Sequence, residues 1–175
     1  MLPPPRRVAV LGPSGSGKST VAQTLAARWG LPYRATDPVF WQAGWRPASE
    51  PAVRTWLRQA TAEPAWVLDG NFVSHRDVLW ARAELAVWLD LPLPACVWRV
   101  ARRNLGWWWR RAPVWHVERM TFPRACGGVR HVVRTHATKR RDYPRLLAQY
   151  PGLTVIRLTS PREVDCWLRA TASPR

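Results

Sequence analysis

Lysine is nearly missing from this chain: only Lys18 and Lys139 occur among its 27 basic residues, the rest being arginine. Acids are scarce as well, 11 in 175 residues, which leaves a formal net charge of +16. Together with abundant Ala, Pro and Trp, the arginine excess is what a GC-rich genome writes, so charge alone reads first as solvated surface. Cysteine is rare too. Cys96, Cys126 and Cys166 stand far apart with no C-x-x-C pair, which excludes a disulfide framework and a zinc-stapled lid and points to a reducing cytoplasm. No apolar run reaches the roughly 18 residues that a membrane-spanning helix needs. Met1–Arg7 carries positive charge but no apolar run before the first strand, so a signal peptide is not expected. There is no internal repeat. The length predicts one domain, residues 1–175, with a real core.

What is present is concentrated near the start. Val8-Ala9-Val10-Leu11 is a short apolar run, followed by Gly12-Pro13-Ser14-Gly15-Ser16-Gly17-Lys18-Ser19-Thr20 and then Val21-Ala22-Gln23-Thr24-Leu25. Strand, glycine-rich loop and helix come in the order of a P-loop, and the spacing matches G-x-x-x-x-G-K-[ST] in full. Glycines let successive backbone N–H groups turn inward around phosphate oxygens. The helix beginning near Lys18 adds its positive end. Lys18 supplies a point charge for the β- and γ-phosphates, and the Ser19 hydroxyl is placed to ligate Mg²⁺. Gly12, Ser14, Gly15, Ser16, Gly17, Lys18, Ser19 and Thr20 are therefore the expected ATP-binding residues.

Apolar strands alternate with helices along the rest of the chain. Strands are expected near 31–34, 65–70, 85–90 and 153–158. Helices are expected from Lys18 to Trp29, over 50–62, 74–83, 94–111 and 129–149, and from Pro161 onward behind a capping box, Ser160-Pro161-Arg162-Glu163. Pro144 is expected to break or kink the helix it falls in. This alternation predicts an α/β fold: a P-loop NTPase three-layer sandwich whose five-stranded parallel sheet carries helices on both faces. The stretch 105–130, with Trp107-Trp108-Trp109-Arg110-Arg111, Pro113, Pro123 and Gly127-Gly128, reads as a short Arg/Trp-rich lid. Ligands of such sheets bind at the carboxyl ends of the strands, and the P-loop, Asp37, Asp69 and Asp90 all lie at such ends.

Asp69 closes an apolar strand where a Walker-B acid belongs, and is expected to share the metal with Ser19. Asp37 either caps a short helix begun by Pro38 or accepts a hydrogen bond from the substrate hydroxyl as general base. Phosphoryl transfer needs charge and positioning more than covalent chemistry, so arginines of the basic 99–145 region are expected near the transferred group: Arg102, Arg134, Arg140 and Arg141, with Arg103 and Lys139 beside them. Trp41, Trp45, Arg46, Asn71 and Arg76 follow Asp37 and Asp69 and are expected to bind the acceptor. The four histidines show no metal spacing. Trp29, Trp56, Trp66, Trp88 and Trp167 are expected in the core.

These motifs give the chain a family resemblance. It resembles the adenylate-kinase-like small P-loop kinases, and within them the FlaR-like, or DNA topology modulation, subgroup. The resemblance rests on the Gly12–Thr20 loop; on Thr36-Asp37 with Phe40-Trp41 and Gly44-Trp45; on Trp66-Val67-Leu68-Asp69-Gly70-Asn71-Phe72; on Arg76–Glu84 and Val87–Pro92; and on His136, Arg140–Tyr143 and Val155–Asp165. It covers most of the chain except about 107–128. It implies an ATP-binding domain with a core, an acceptor-binding segment and a short lid. With the residues read above, the expectation is a cytoplasmic, ATP- and Mg²⁺-dependent phosphotransferase with a small acceptor such as a nucleotide or nucleoside, as monomer or homodimer. The Phe-Pro-Arg of adenylate kinases is here Asn71-Phe72-Val73, and their Lys-Gly-Thr is Lys18-Ser19-Thr20, so AMP is not the expected acceptor and Arg76 is the nearest substitute for the lost arginine. The alternative is a nucleotide-binding regulator acting on DNA through the basic 99–145 face. Nucleic acid is the less favoured partner.

Overall fold

A computed structural model describes residues 4–111, 113–114 and 118–171. Residues 112 and 115–117 of the expected lid, His116 among them, lie outside the described residues.

The chain begins with β1 (Arg7–Leu11), crosses the P-loop, and forms α1 (Lys18–Trp29). β2 (Tyr33–Ala35) and a short α2 (Asp37–Phe40) follow, then the small pair β3 (Trp41–Gln42) and β4 (Arg46–Pro47) joined by a 3₁₀ turn. Next come α3 (Glu50–Ala60), β5 (Trp66–Asp69), α4 (Arg76–Leu79) and β6 (Leu85–Leu89). α5 (Leu93–Arg110) leads through the hairpin strands β7 (Pro113–Val114) and β8 (Glu118–Arg119) into α6 (Phe122–Leu147). β9 (Thr154–Leu158) and α7 (Pro161–Ala170) end the described chain.

β2, β5, β1, β6 and β9 pair in that order, each contact parallel. This is the α/β architecture expected from the alternating pattern. Every residue of β5 and β6 is buried, as continuous apolar runs covered on two faces require. On one face Val8, Val10, Val67 and Val87 meet α1, α5 and α7 through Leu25, Cys96, Val100 and Val164. On the other, Ala9, Leu68, Ala86 and Trp88 meet α3, α4 and the second half of α6 through Leu57, Leu79, Tyr143 and Leu147. The tryptophans divide accordingly. Trp66 and Trp88 are core, and so is Trp80, which the pattern did not single out; Trp29, Trp56 and Trp167 pack at the margins. Trp80 and Trp88 both meet Tyr143, with ring centroids 5.9 and 5.6 Å apart.

Two expectations about α6 are corrected. The helix starts at Phe122, not near 129, and runs through Gly127-Gly128. Gly128 serves close packing rather than a loop: a Cβ there would stand 2.5 Å from Asn104 Nδ2 of α5, whereas one on Gly127 would meet nothing. Asn104 is buried there and donates to Ala125 O at 3.2 Å. Pro144 does not end the helix either, which continues to Leu147. Proline lacks the N–H that would bond the carbonyl of Arg140 one turn earlier, yet the helix runs on past it, and Ala148 N donates to Pro144 O at 3.1 Å.

Candidate functional site

The site lies at the carboxyl ends of β1, β2 and β5. β1 leads into Gly12 at φ 145°, where a Cβ would stand 2.6 Å from Leu89 O. Gly15, at φ 81°, lies against the first turns of α5, where a Cβ would collide with Cys96 O. Only glycine allows both the backbone angle and the approach. Gly17 caps α1 in the left-handed region with no side-chain hydrogen bond, so the first amides of this 12-residue helix remain directed at the loop. The loop is braced from several sides. Ser16 N donates to Pro13 O at 3.2 Å, Lys18 Nζ to the same carbonyl at 3.0 Å, and Arg99 Nη1 to Ser16 O at 3.2 Å. Ser14 is half-buried and Thr20 exposed at the loop's two ends.

Asp69 is buried at the end of β5. Its Oδ2 accepts from Ser19 Oγ at 2.5 Å and its Oδ1 from Thr36 N at 3.3 Å. Thr36 Oγ1 donates to the Asp69 carbonyl at 2.5 Å. One acid thus ties β5 to the start of α1 and to the end of β2. Hydroxyl and carboxylate side by side at the phosphate loop are hard oxygen donors of the kind Mg²⁺ takes alongside water and phosphate. Among the described residues no group of three or more His, Cys, Asp or Glu side chains could hold a metal ion. Tyr33, not foreseen from the pattern, stands beside Asp69 and Ser19. Burial and the neighbouring carboxylate push its phenol up to about 12.

Asp37 is the first residue of α2, and Thr36, not Asp37, is its N-cap. The Asp37 carboxylate instead faces basic groups. Loss of water raises its pKa, opposed by Lys18 and Arg103 and assisted by Asp69. Lys18 is drawn down to about 8, first by burial, then by Lys139 and Arg103, against the pull of Asp37 and Asp69. Burial lowers Lys139 and Arg103 as well, with Asp37 pulling Arg103 back. Lys18, Asp37, Asp69, Arg103 and Lys139 therefore share one electrostatic neighbourhood, built from the P-loop, α2, β5, α5 and α6.

The other expected arginines go elsewhere. Arg102 and Arg103 are both exposed on α5, but the Arg103 guanidinium lies over Trp107, 4.7 Å from the ring centroid, while Arg102 turns to another side. Arg140 Nε lies 3.4 Å from buried Asp90, which also accepts from Arg157 Nε and Nη2 at 3.0 and 2.5 Å. Arg157 stacks over Trp88, 4.6 Å from the ring centroid. Asp90 is thus held in an ion-pair cluster. Arg141 is exposed and pairs with its neighbour Asp142 at 2.7 Å. Arg134 lines an open groove of about 460 Å³ on α6 with Gly127, Arg130, His131 and Thr135. A one-residue step on a helix turns a side chain by about 100°, so a list of arginines cannot separate Arg102 from Arg103 until it is known which of them meets Trp107.

On the acceptor side, Asn71 does not point to an open pocket. Its Oδ1 accepts from Gly12 N at 2.9 Å and pins the start of the P-loop. Trp41 and Trp45 meet edge to face at 5.8 Å. Trp45, at φ 58°, packs against Val114, Met120 and Ala125, with the Arg124 guanidinium 5.8 Å from its ring. The segment after Asp37 is thereby joined to the β7–β8 hairpin. Arg46 Nε donates to Ala43 O at 3.4 Å and Arg76 Nη1 to Val73 O at 3.0 Å, so both hold local turns.

A parallel sheet in this order, with a phosphate-type loop after its first strand and two acids at neighbouring strand ends, defines the fold of small P-loop kinases. Solved structures bear this out. A sugar kinase from a Janibacter species matches with a TM-score of 0.56 at 20% identity, over 95% of this chain and 94% of its own. A gluconokinase from Sinorhizobium meliloti matches at 0.55 and 18%, over 96% and 94%. A shikimate kinase from Acinetobacter baumannii, solved with shikimate, matches at 0.54 and 19%, over 94% and 90%. No known family profile matches the chain, and no curated protein is similar to it.

Proposed function

We propose that this protein is an ATP- and Mg²⁺-dependent phosphotransferase that moves the γ-phosphoryl group to a hydroxyl of a small acceptor. The observation that carries the proposal is the meeting of Lys18, Asp37, Asp69, Arg103 and Lys139 at one mouth beside the Ser19–Asp69 pair. The loop amides and Lys18 hold the β- and γ-phosphates. Ser19 and Asp69 would hold Mg²⁺, which when bound would supply positive charge to offset that of the phosphates. Asp37, kept ready to take a proton by its raised pKa, accepts the proton of the acceptor hydroxyl as that oxygen bonds to the γ-phosphorus. The bond from the γ-phosphorus to the bridging oxygen breaks and ADP leaves. Arg103 and Lys139 stand where charge on the transferring group is balanced.

The names of the structural neighbours support a hydroxylated small molecule as acceptor. The likeness to FlaR-like proteins remains our interpretation of residues 36–45 and 66–72. The chain acts as one domain, with the hairpin between α5 and α6 as its lid. Free Cys96, Cys126 and Cys166 support a reducing, cytoplasmic setting. Asp37→Asn tests the role given to the base. Its expected effect is a loss of acceptor-dependent turnover of about 10²–10⁴-fold with ATP binding kept. Unchanged turnover in this variant would remove Asp37 from the mechanism.

A further inference from the structure

α5 carries two stripes. Cys96, Val100, Asn104 and Trp107 recur at helical spacing and turn inward; the first three are buried, and Trp107 packs against Val114, Met120 and Ala125. Trp98, Arg102, Leu105 and Trp109 recur at the same spacing and turn outward. Outward positions on a helix of a water-soluble enzyme are normally polar. Here Trp98 is 67% exposed, Trp109 80% and Leu105 45%. The patch continues past the stripe. Trp108 lies 6.4 Å from Trp109 and 5.4 Å from Phe122, centroid to centroid, and Phe122, which opens α6, is 51% exposed. Single exposed apolar residues need no account, but a contiguous aromatic patch marks an interaction surface.

Its electrostatic setting narrows the partner. α5 contains no acid, and α6 has none before Asp142. Arg102, Arg110 and Arg111 border the aromatic residues and are exposed. Asp142 is engaged by Arg141. A second copy of the same face would bring these arginines together, so self-association is opposed by charge. A nucleic-acid duplex would pair with the arginines but offers exposed tryptophans no apolar medium. An anionic bilayer surface answers both halves of the pattern. Tryptophan and phenylalanine settle at the boundary between headgroups and acyl chains, and arginine beside them pairs with anionic lipid while its stem stays in the interface. No helix among the described residues is long and apolar enough to cross a membrane, so the contact is peripheral.

We propose that the outward face of α5, with Trp108 and Phe122, is a docking surface for anionic phospholipid membranes. This goes beyond the phosphotransferase proposal and does not depend on it. The test is flotation of the full-length protein with vesicles of phosphatidylcholine, with and without phosphatidylglycerol. The expected result is flotation with the anionic vesicles only, weakened but not abolished by salt. Quenching of tryptophan fluorescence by brominated acyl chains is expected with it. Trp98→Ser/Trp109→Ser should lower binding by about tenfold or more while keeping the melting temperature and ATP turnover of the parent, since both side chains face water. Absence of flotation overturns the proposal. So does unchanged flotation of the serine variant, which would mean charge attraction alone. Loss by that variant of binding to a single-stranded oligonucleotide, without vesicle binding in the parent, would assign the face to nucleic acid. A parent dimer in sedimentation that the variant dissolves would assign it to self-association.

Discussion

Lys18 is the residue whose chemistry the surroundings change most consequentially. Burial first, and then the nearby charges of Lys139 and Arg103, lower its pKa from 10.5 to about 8. Two outcomes follow. Between pH 8 and 10.5 the unfolded chain binds more protons at this group than the fold does, so Lys18 makes the ligand-free protein gain stability as pH rises through that window. Denaturant melts of the parent and of Lys18→Met should differ in slope there, with the rise absent from the variant. Phosphate binding works in the opposite direction. An anion favours charged Lys18 and draws in a proton, so ATP affinity should weaken as pH climbs past about 8. Calorimetry in buffers of unlike ionisation heat would show the proton uptake. A second residue-scale prediction concerns Asp90. Buried and bound by Arg157 and Arg140, it anchors the ends of β6 and β9. Asp90→Ala should cost about 2 kcal/mol, seen as a lower denaturant midpoint, with ATP affinity near the parent's. Arg140 shows why the sequence alone places such residues poorly. Arg102, Arg103, Arg140 and Arg141 are chemically the same and all exposed, and only their partners separate them: Asp37 and Trp107 for Arg103, Asp90 for Arg140, Asp142 for Arg141.

At the scale of elements, the contact between α5 and α6 decides the geometry of the cleft, because Arg103 comes from one helix and Lys139 from the other. The contact depends on Gly128 meeting Asn104. Gly128→Val should force the helices apart, lowering stability by about 1–3 kcal/mol and reducing turnover more than ATP binding, because α5 braces the P-loop through its first turns, Cys96 and Arg99, away from Asn104. Thermal melting and steady-state kinetics on one preparation would show both effects. The five strands of the main sheet, α1 and α7 were legible in the sequence because each announces itself locally; the short pairs β3–β4 and β7–β8 were not, their segments reading as loop and lid. Apolar runs of four to six residues, a P-loop, a glycine after α1 and the Ser160 capping box need no long-range information. The start of α6 was not legible. Pro123 and Gly127-Gly128 are loop signals on local propensity, and their helical state is imposed by packing on α5, which local reasoning does not contain. Asn71 was placed among acceptor ligands for a similar reason: its role, holding Gly12 N, depends on β1 and β5 lying side by side.

For the whole molecule, charge and shape point in one direction. The acids that remain are used sparingly. Asp37 and Asp69 face the cleft and Asp90 is locked into an ion-pair cluster, while the arginine excess gathers on α5 and α6. Phosphate-bearing substrates approach a strongly positive molecule, so the Michaelis constant for ATP should rise with ionic strength. The fold matches those of a sugar kinase and a gluconokinase over 95% and 96% of this chain. The measurement that tests the central claim most directly is ATP turnover with Mg²⁺ against a panel of sugars, hydroxy acids, nucleosides and nucleotides, with Lys18→Ala as control. The prediction is that one class of acceptor stimulates ADP release and is itself phosphorylated, and that Lys18→Ala abolishes both. ATP binding without stimulation by any acceptor, or turnover that survives loss of Lys18, would contradict it.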